Sequence, residues 1–430
     1  MKKILVIIGN HSPEPSSVAN CTEPLINELS SRGYEIDIIT DRKKVEVLNY
    51  ESNGEINIYR FDNNFNVSFD LLNKLTKLKL GRLLTFLTRF FSLILKICYF
   101  IRYNIFTLEK QTSGWYVKDI LKMCLELHKI KKYDSVISVS LPFKSHYIAK
   151  KLVSMVDDSS LKWFVYEYDP FGYNKLLSKS TIKKFLRLKR EYKVFERCNY
   201  IFLTPELYHF YMKTPFSIFK DKFISMPFAN IQKFTYEEEK IDIKLDSKNI
   251  NCVFTGTLYQ EIRNPKYAIE MFGNLDTNIQ LIFLSNITQE AVNGANEVKS
   301  NVSFYPMQPR NKAKNILAKS DILVNIGNTV EFQIPGKIFE YISTGKPIVH
   351  FSKFPGDPSL KYLERYPLVL IIEEWKGNFE QQAKRLKSFC EKYKGVSIEY
   401  KEVINSLKGL DGDSVSRIFV DTITTLLEED

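Results

Sequence analysis

The chain has 430 residues, 44% hydrophobic and 26% charged, with 17 Gly, 16 Pro and a formal net charge of +11. At about 150 residues per domain this length implies two large domains or three ordinary ones, and the composition fills sizeable cores while excluding disordered, collagen-like and coiled-coil chains. The six cysteines, at 21, 98, 124, 198, 252 and 390, form no C-x-x-C pair and the five histidines no H-x-x-x-H spacing, so neither a disulfide framework nor a zinc site is signalled, no metal is expected, and a reducing compartment fits best.

The opening Met1-Lys-Lys-Ile-Leu-Val-Ile-Ile has the onset of a signal peptide, but its apolar run stops at Gly9, too short for a secretory h-region. It reads as a strand over residues 3–9. Helical apolar spacing from Val18 to Ser31 and a β-branched run over 34–40 complete a βαβ unit, for which a parallel sheet is expected. Further strands are expected at Ile56–Arg60, Ser135–Val139, Trp163–Tyr166 and Tyr200–Leu203. Residues 1–235 thus read as one Rossmann-like domain.

The positive charge sits in this half. Between Asp70 and Glu109 there is no acidic residue but seven basic ones, and Asn174–Arg197 carries nine basic residues against Glu191 and Glu196. Each block nets +7, leaving the rest of the chain weakly acidic. Arg82, Thr85, Arg89, Ser92, Lys96, Tyr99 and Tyr103 recur at steps of three and four, one helical face, and every other residue from 83 to 101 except Thr88 is apolar. Such a stripe suits a segment, here 74–108, lying in a membrane interface with Arg82, Arg89 and Lys96 toward anionic lipid. A helix buried in the domain, showing only its stripe to water, is the alternative. No helix-turn-helix, RNP or zinc pattern accompanies the charge, so no nucleic-acid partner is expected. No stretch of about 18 uncharged apolar residues occurs, so no spanning helix is expected either.

The charged stretch Tyr236–Lys248 reads as a linker. A second series follows: strand Asn251–Thr255, helix Pro265–Phe272, strands Ile279–Leu284 and Val302–Tyr305, helix Asn311–Ala318, strand Ile322–Ile326, helix Gly336–Ser343 and strand Pro347–Phe351. The expected fold class is α/β, two facing Rossmann-like doubly wound domains, with a second domain over 249–410 and a helix at 411–430 packing back on the first. Ligands of open parallel sheets bind beyond the carboxyl ends of the strands, which places the expected site in the cleft.

Two loops of the second domain carry the chemistry. After the strand ending near Ile326, Pro335 sits where a first helical turn tolerates a missing N–H, and Gly345 and Pro347 end the helix. N–H groups at Gly336 and Lys337, the helix dipole and the Lys337 cation suit a diphosphate, and Glu340, one turn on, suits sugar hydroxyls. The competing reading is a surface pair of Lys337 with Glu340. In the loop Phe254-Thr-Gly-Thr-Leu-Tyr-Gln-Glu-Ile-Arg-Asn-Pro, Gly256 admits close backbone approach beside Thr257, and Arg263 offers a fork to a phosphate oxygen.

The runs PGKIFEYISTGKPIV, SDILVNIG, FTGTLYQEIRNP and KILVII…PLINELSSRGYEIDIIT together resemble glycosyltransferases of the GT-B fold, family 4 type, which build bacterial surface polysaccharides. The resemblance implies a nucleotide-sugar donor, UDP or GDP, held by the second domain, and a glycan or lipid-linked acceptor held by the first. It implies no cofactor and retention of configuration. Glu340 matches the second glutamate of the family's E-x7-E motif, a ribose contact, and Arg263 and Lys337 match the basic pair that neutralises the diphosphate. Pro335 and Gly336 belong to the same donor loop. The first glutamate would fall at Phe332, with Glu331 one residue away as its substitute. The family's glycine-rich turn is replaced by Gly9-Asn-His-Ser-Pro, leaving Asn10 and His11 as acceptor-side candidates, and its first-domain histidine by Glu167-Tyr-Asp-Pro. Asp169 there either orients an acceptor hydroxyl or caps the next segment; His146 reads as structural.

The expectation is therefore a cytoplasmic glycosyltransferase, peripheral at the inner face of the plasma membrane. The alternatives are a catalytically silent membrane-associated scaffold of a polysaccharide assembly complex and a nucleotide-sugar epimerase.

Overall fold

The β-branched runs become parallel strands whose intervening segments cross over as helices. The computed structural model describes residues 2–11, 16–42, 44, 47–62, 68, 70–72, 74–75, 82–101, 108, 114–174, 176–177, 180–228, 231–243, 245–259, 261–286 and 300–429. Tyr103 and the side chains of Arg82 and Tyr99 lie outside what is described, as does much of segment 74–108. The chain divides into one unit of residues 1–227 with 416–430 and another of 228–415.

The first unit contains β1 (Lys3–Ile8), α1 (Ser17–Ser31), β2 (Glu35–Arg42), β3 (Tyr50–Asn53), β4 (Ile56–Asp62), α2 (Arg82–Ile101), α3 (Gly114–Lys131), β5 (Ser135–Ser140), α4 (Lys144–Val156), β6 (Lys162–Glu167), α5 (Thr181–Arg197), β7 (Tyr200–Leu203), α6 (Pro205–Met212), a 3-10 helix (Pro215–Lys222) and β8 (Phe223–Ser225). Its sheet runs β3-β4-β2-β1-β5-β6-β7-β8, parallel throughout except for β3 against β4. The unexpected β3 is a fully exposed edge of sequence YESN, returned on β4 through Gly54 at φ +65. With no apolar alternation it carries no strand signal. Chain order reverses at β1, whose neighbours are β2 and β5. At that switch point a side chain on Gly9 would meet the Pro142 ring at 2.1 Å, so only glycine fits.

Helix α2 is largely uncovered. Thr88 is buried and Thr85, Ser92 and Leu95 half-buried, whereas Phe86 (66% exposed), Phe90, Phe91, Leu93, Ile94 and Ile97 project outward beside exposed Arg89 and Lys96. The alternative in which only a basic stripe reaches water is thereby overturned: most of the apolar side chains are exposed, and Thr85, Thr88, Ser92 and Leu95 turn toward the protein. Among the described residues no helix is long and apolar enough to cross a membrane.

The second unit contains β9 (Ile250–Gly256), α7 (Lys266–Gly273), β10 (Ile279–Ser285), β11 (Val302–Pro306), α8 (Arg310–Lys319), β12 (Ile322–Ile326), α9 (Lys337–Ser343), β13 (Ile348–Ser352), α10 (Leu360–Leu363), β14 (Val369–Glu373), α11 (Phe379–Tyr393), α12 (Tyr400–Ser406) and the start of α13 (Gly412–Glu428). Its sheet runs β11-β10-β9-β12-β13-β14, parallel throughout. Both faces are covered. Cys252, Phe254, Ile322, Val324 and Ile326 enter one core and Val253 and Leu323 the other, the period-two alternation of a strand buried on both sides. Each unit is thus a Rossmann-like α/β domain, as expected.

The division between units falls at Pro227–Phe228, not at the charged stretch 236–248. That stretch belongs to the second unit, because Ile241, Ile243 and Leu245 alternate with its charges and pack on the core around Val253 and Leu323. From Ser416 onward α13 belongs to the first unit. There the Phe419 ring lies 5.1 Å from Phe202 and 5.9 Å from Tyr166, and Thr424 shares a 2.8 Å hydrogen bond with Tyr34.

Helix α9 stops at Thr344, and Gly345 follows at φ +72, where an added Cβ would sit 2.1 Å from the Ile398 carbonyl oxygen. Gly345→Ala therefore incurs the left-handed penalty of about 1–2 kcal/mol together with a backbone overlap. A clear fall in the urea midpoint is expected; an unchanged midpoint would show that the turn relaxes freely.

Candidate functional site

At the switch point of the second sheet, between β9 and β12, the two predicted loops meet. Gly256 ends β9 at φ +133, a backbone conformation that favours glycine, and the Lys337 stem lies beside it, its Cγ in ordinary contact distance, 3.7 Å, of where a Cβ would stand. Tyr341 of α9, fully buried, accepts from the Thr255 N–H at 2.8 Å and donates to the Thr255 carbonyl at 3.3 Å. Burial pushes this phenol up to about 12, so it stays a neutral donor.

Arg263 is not a solvated loop residue. Its Nε donates to Asn328 Oδ1 at 2.9 Å and a terminal nitrogen to the Thr257 carbonyl at 3.2 Å, while burial lowers its pKa from the usual guanidinium value. Asn328 in turn donates to the Gln333 carbonyl, and the Thr329 N–H to the Ile262 carbonyl. Arg263 therefore ties the loop after β9 to the loop after β12. Lys337 opens α9, with Gly336 as its cap and Pro335 one residue before it; Pro335 therefore stands outside the first turn in which it was expected. Lys337 Nζ donates to Glu340 Oε2, so the two expected ligand contacts hold each other. Both are partly exposed, and such a pair is worth only about 0.5 kcal/mol. Phe332 is buried and its neighbour Glu331 exposed. Thr257, half-buried, lies between Gly256 and Arg263 with its carbonyl already taken by the guanidinium.

The first-unit candidates lie on the carboxyl edge of the other sheet. Asn10 is half-buried and His11 buried in the loop after β1, and Asp169, half-buried, follows β6 two strands away. Beneath that edge lies a polar network that the sequence reading did not assemble. Trp163 Nε1 donates to Ser138 Oγ at 2.8 Å; Ser138 Oγ is 2.7 Å from His146 Nδ1; His146 Nε2 is 3.3 Å from Glu167 Oε1; and Ser140 donates to Glu167 Oε2. Nearby, Glu191 accepts from the backbone N–H of Phe171 and Gly172 at 2.7 and 3.0 Å and from the Tyr211 hydroxyl at 2.6 Å. This fixes the turn that bears Asp169. The available signal was Ser138 and Ser140, two apart on one face of the strand Ser-Val-Ile-Ser-Val-Ser. Burial pushes Glu167 up to about 8 and Glu191 up to about 7, and pushes His146 down to about 3. Among the described residues no group of three His, Cys, Asp or Glu could hold a metal ion.

No protein-family model and no curated protein matches the chain by sequence; the likeness is structural. Sucrose-phosphate synthase from Thermosynechococcus elongatus is similar at a TM-score of 0.65 and 9% identity, with all of both chains covered. The catalytic domain of starch synthase IV from Arabidopsis thaliana, solved with ADP and acarbose, is similar at a TM-score of 0.62 and 10% identity, again over both whole chains. UDP-GlcNAc 2-epimerase from Neisseria meningitidis is similar at a TM-score of 0.51 and 12% identity, over 98% of this chain and 100% of that one. The chain thus shares the fold of GT-B glycosyltransferases, a fold that also hosts nucleotide-sugar epimerases.

The buried Glu167 makes stability depend on pH. A carboxyl whose native pKa stands above its unfolded value of 4.5 binds its proton more tightly when folded, so its contribution is complete below pH 4.5 and lost as pH rises through about 8. His146 acts in the opposite sense, contributing above pH 6.5 and losing that contribution toward pH 3. Unfolding free energy is therefore expected to fall as pH rises from 6.5 to 8, and Glu167→Gln to flatten that fall in denaturant titrations. An undiminished slope in the variant would place the proton elsewhere.

Proposed function

We propose that the protein is a glycosyltransferase of family 4 type that transfers a sugar from a UDP or GDP donor to a glycan or lipid-linked glycan of a surface polysaccharide, with retention. The observation that carries this reading is the meeting of Gly256, Arg263, Lys337 and Glu340 at the switch point of the second sheet. Gly256 leaves the backbone open to a diphosphate, and Lys337 turns from Glu340 to its oxygens. Glu340, released, accepts hydrogen bonds from the ribose hydroxyls. Arg263 acts as a positioning residue as well as a charge, since it already holds Asn328 and Thr257. As the bond from the sugar to the diphosphate breaks, negative charge gathers on the departing nucleotide, and these two cations stabilise it in place. Asp169, Asn10 and His11 serve the acceptor side.

Helix α2, with its apolar side chains outward and Arg89 and Lys96 exposed, supports a peripheral position on an anionic membrane, where a lipid-linked acceptor lies. This is the cytoplasmic face of the plasma membrane. Phe332 at the place of the motif's first glutamate favours a second reading, a silent scaffold that binds membrane without a donor. An epimerase on the same fold would convert the sugar nucleotide with no acceptor present.

A thermal-shift screen with UDP, GDP, ADP and dTDP and their sugars separates these. A ligand at a hundred times its dissociation constant adds about 2.7 kcal/mol of stability. One nucleotide series is expected to raise Tm, and Lys337→Ala and Glu340→Ala each to weaken its binding by about tenfold or more, the loss of a charge-assisted hydrogen bond. No shift with any nucleotide would favour the scaffold; turnover without acceptor would favour the epimerase.

A further inference from the structure

The second basic block forms α5, and its exposed side is not simply cationic. Ile182 is 73% and Phe185 63% exposed, and Leu186 and Tyr192 are also exposed. Ile182, Phe185, Leu186 and Lys189 follow one another at helical spacing along the outer face, flanked by exposed Lys184, Arg190 and Lys193. The inner face is held by Arg187, Glu191, Val194 and Phe195. Glu191 is thereby withdrawn from the surface, and the block's other acid, Glu196, comes only in the last turn.

The two ends of α5 differ in a telling way. At the carboxyl end Lys222 donates to the carbonyls of Phe195, Glu196 and Cys198, where a cation complements the helix dipole. At the amino end the first turn has no acid and instead carries Lys183 and Lys184, which the positive pole of the dipole disfavours. Lys184 also reaches over the Tyr173 ring, 5.4 Å from its centroid, but an isoleucine and a phenylalanine held in water on the same turn add nothing to folding. The apolar surface also continues, for Tyr192 packs edge-on against Phe219 of the 3-10 helix at 5.0 Å, beside exposed Ile218 and Lys220.

We propose that α5 is a second membrane-contact surface, whose occupant is an anionic lipid bilayer. Ile182, Phe185 and Leu186 enter the acyl boundary while Lys184, Lys189, Arg190 and Lys193 meet the headgroups. A nucleic acid would match the charge but would leave the apolar crest of the first two turns in water, so the bilayer is the better complement. The inference extends the membrane position proposed for α2 and rests on it only in the choice of membrane.

The test is co-sedimentation of the full chain with vesicles of phosphatidylglycerol and phosphatidylcholine in equal parts, and with phosphatidylcholine alone. Three variants are compared: Ile182→Ser with Phe185→Ser, Lys184→Gln with Lys189→Gln and Lys193→Gln, and, on α2, Arg89→Glu with Lys96→Glu. All change exposed side chains, and a wild-type thermal melt certifies each fold. Wild type is expected to bind the anionic vesicles in a salt-sensitive manner, and each α5 variant to lose about tenfold or more in partitioning. The α2 variant should weaken binding independently. If the α5 variants bind as wild type while the α2 variant is released, the proposal fails and the α2 contact stands. If wild type binds neither vesicle, both fail. If the α5 variants lose only binding to a single-stranded RNA oligomer, the occupant is nucleic acid and the proposal is overturned.

Discussion

One phenol holds the candidate site together. Tyr341 bonds both backbone groups of Thr255, and through it the start of α9 is fixed against the end of β9. Without that link Lys337 and Glu340 would belong to one loop, and Gly256 and Arg263 to another. With it, and with Arg263 gripping Asn328 and Thr257, two loops behave as one rigid lip. The tie is neutral at any ordinary pH and fully buried, so neither salt nor mild titration loosens it. The side chains that would meet a ligand are, by contrast, held only by a half-exposed pair with each other.

The architecture was written in the alternation of β-branched strands with helical spacing, because a parallel sheet covered on both faces needs long apolar runs and leaves the clearest pattern. Where a strand pairs through polar and aromatic cross-strand contacts the pattern fails: β3 is exposed on every residue and meets β4 through Tyr50 on Tyr59, Ser52 on Asn57 and Glu51 on Arg60. The stretch 236–248 misled for another reason. Its charges dominate composition, yet three residues in alternate positions, Ile241, Ile243 and Leu245, decide where it packs.

The candidate site was legible as residue types and only partly as geometry. Gly256, Lys337 and Glu340 stood out because helix-terminus chemistry leaves Gly and Pro in characteristic places. That Arg263 would face inward, to a carbonyl and an amide, could not be read from its position in a loop. The buried chain from Trp163 through Ser138 and His146 to Glu167 was illegible because its successive members are 8 to 25 residues apart and converge only when β5, β6 and α4 are assembled. Buried polar groups are recognised by their partners, and partners are a tertiary property.

The division of the chain has a consequence for its biosynthesis. Residues 416–430 complete the first unit, with Phe419 against Tyr166 and Phe202 and Thr424 bonded to Tyr34. The whole second unit, 228–415, is encoded between them and the rest of that unit. On the ribosome the second unit can therefore close its core while the first still lacks part of its own. Until residues 416–430 follow the second unit out, the aromatic cluster of Tyr166 and Phe202 lacks Phe419, so the first unit completes its core only after the second has been synthesised.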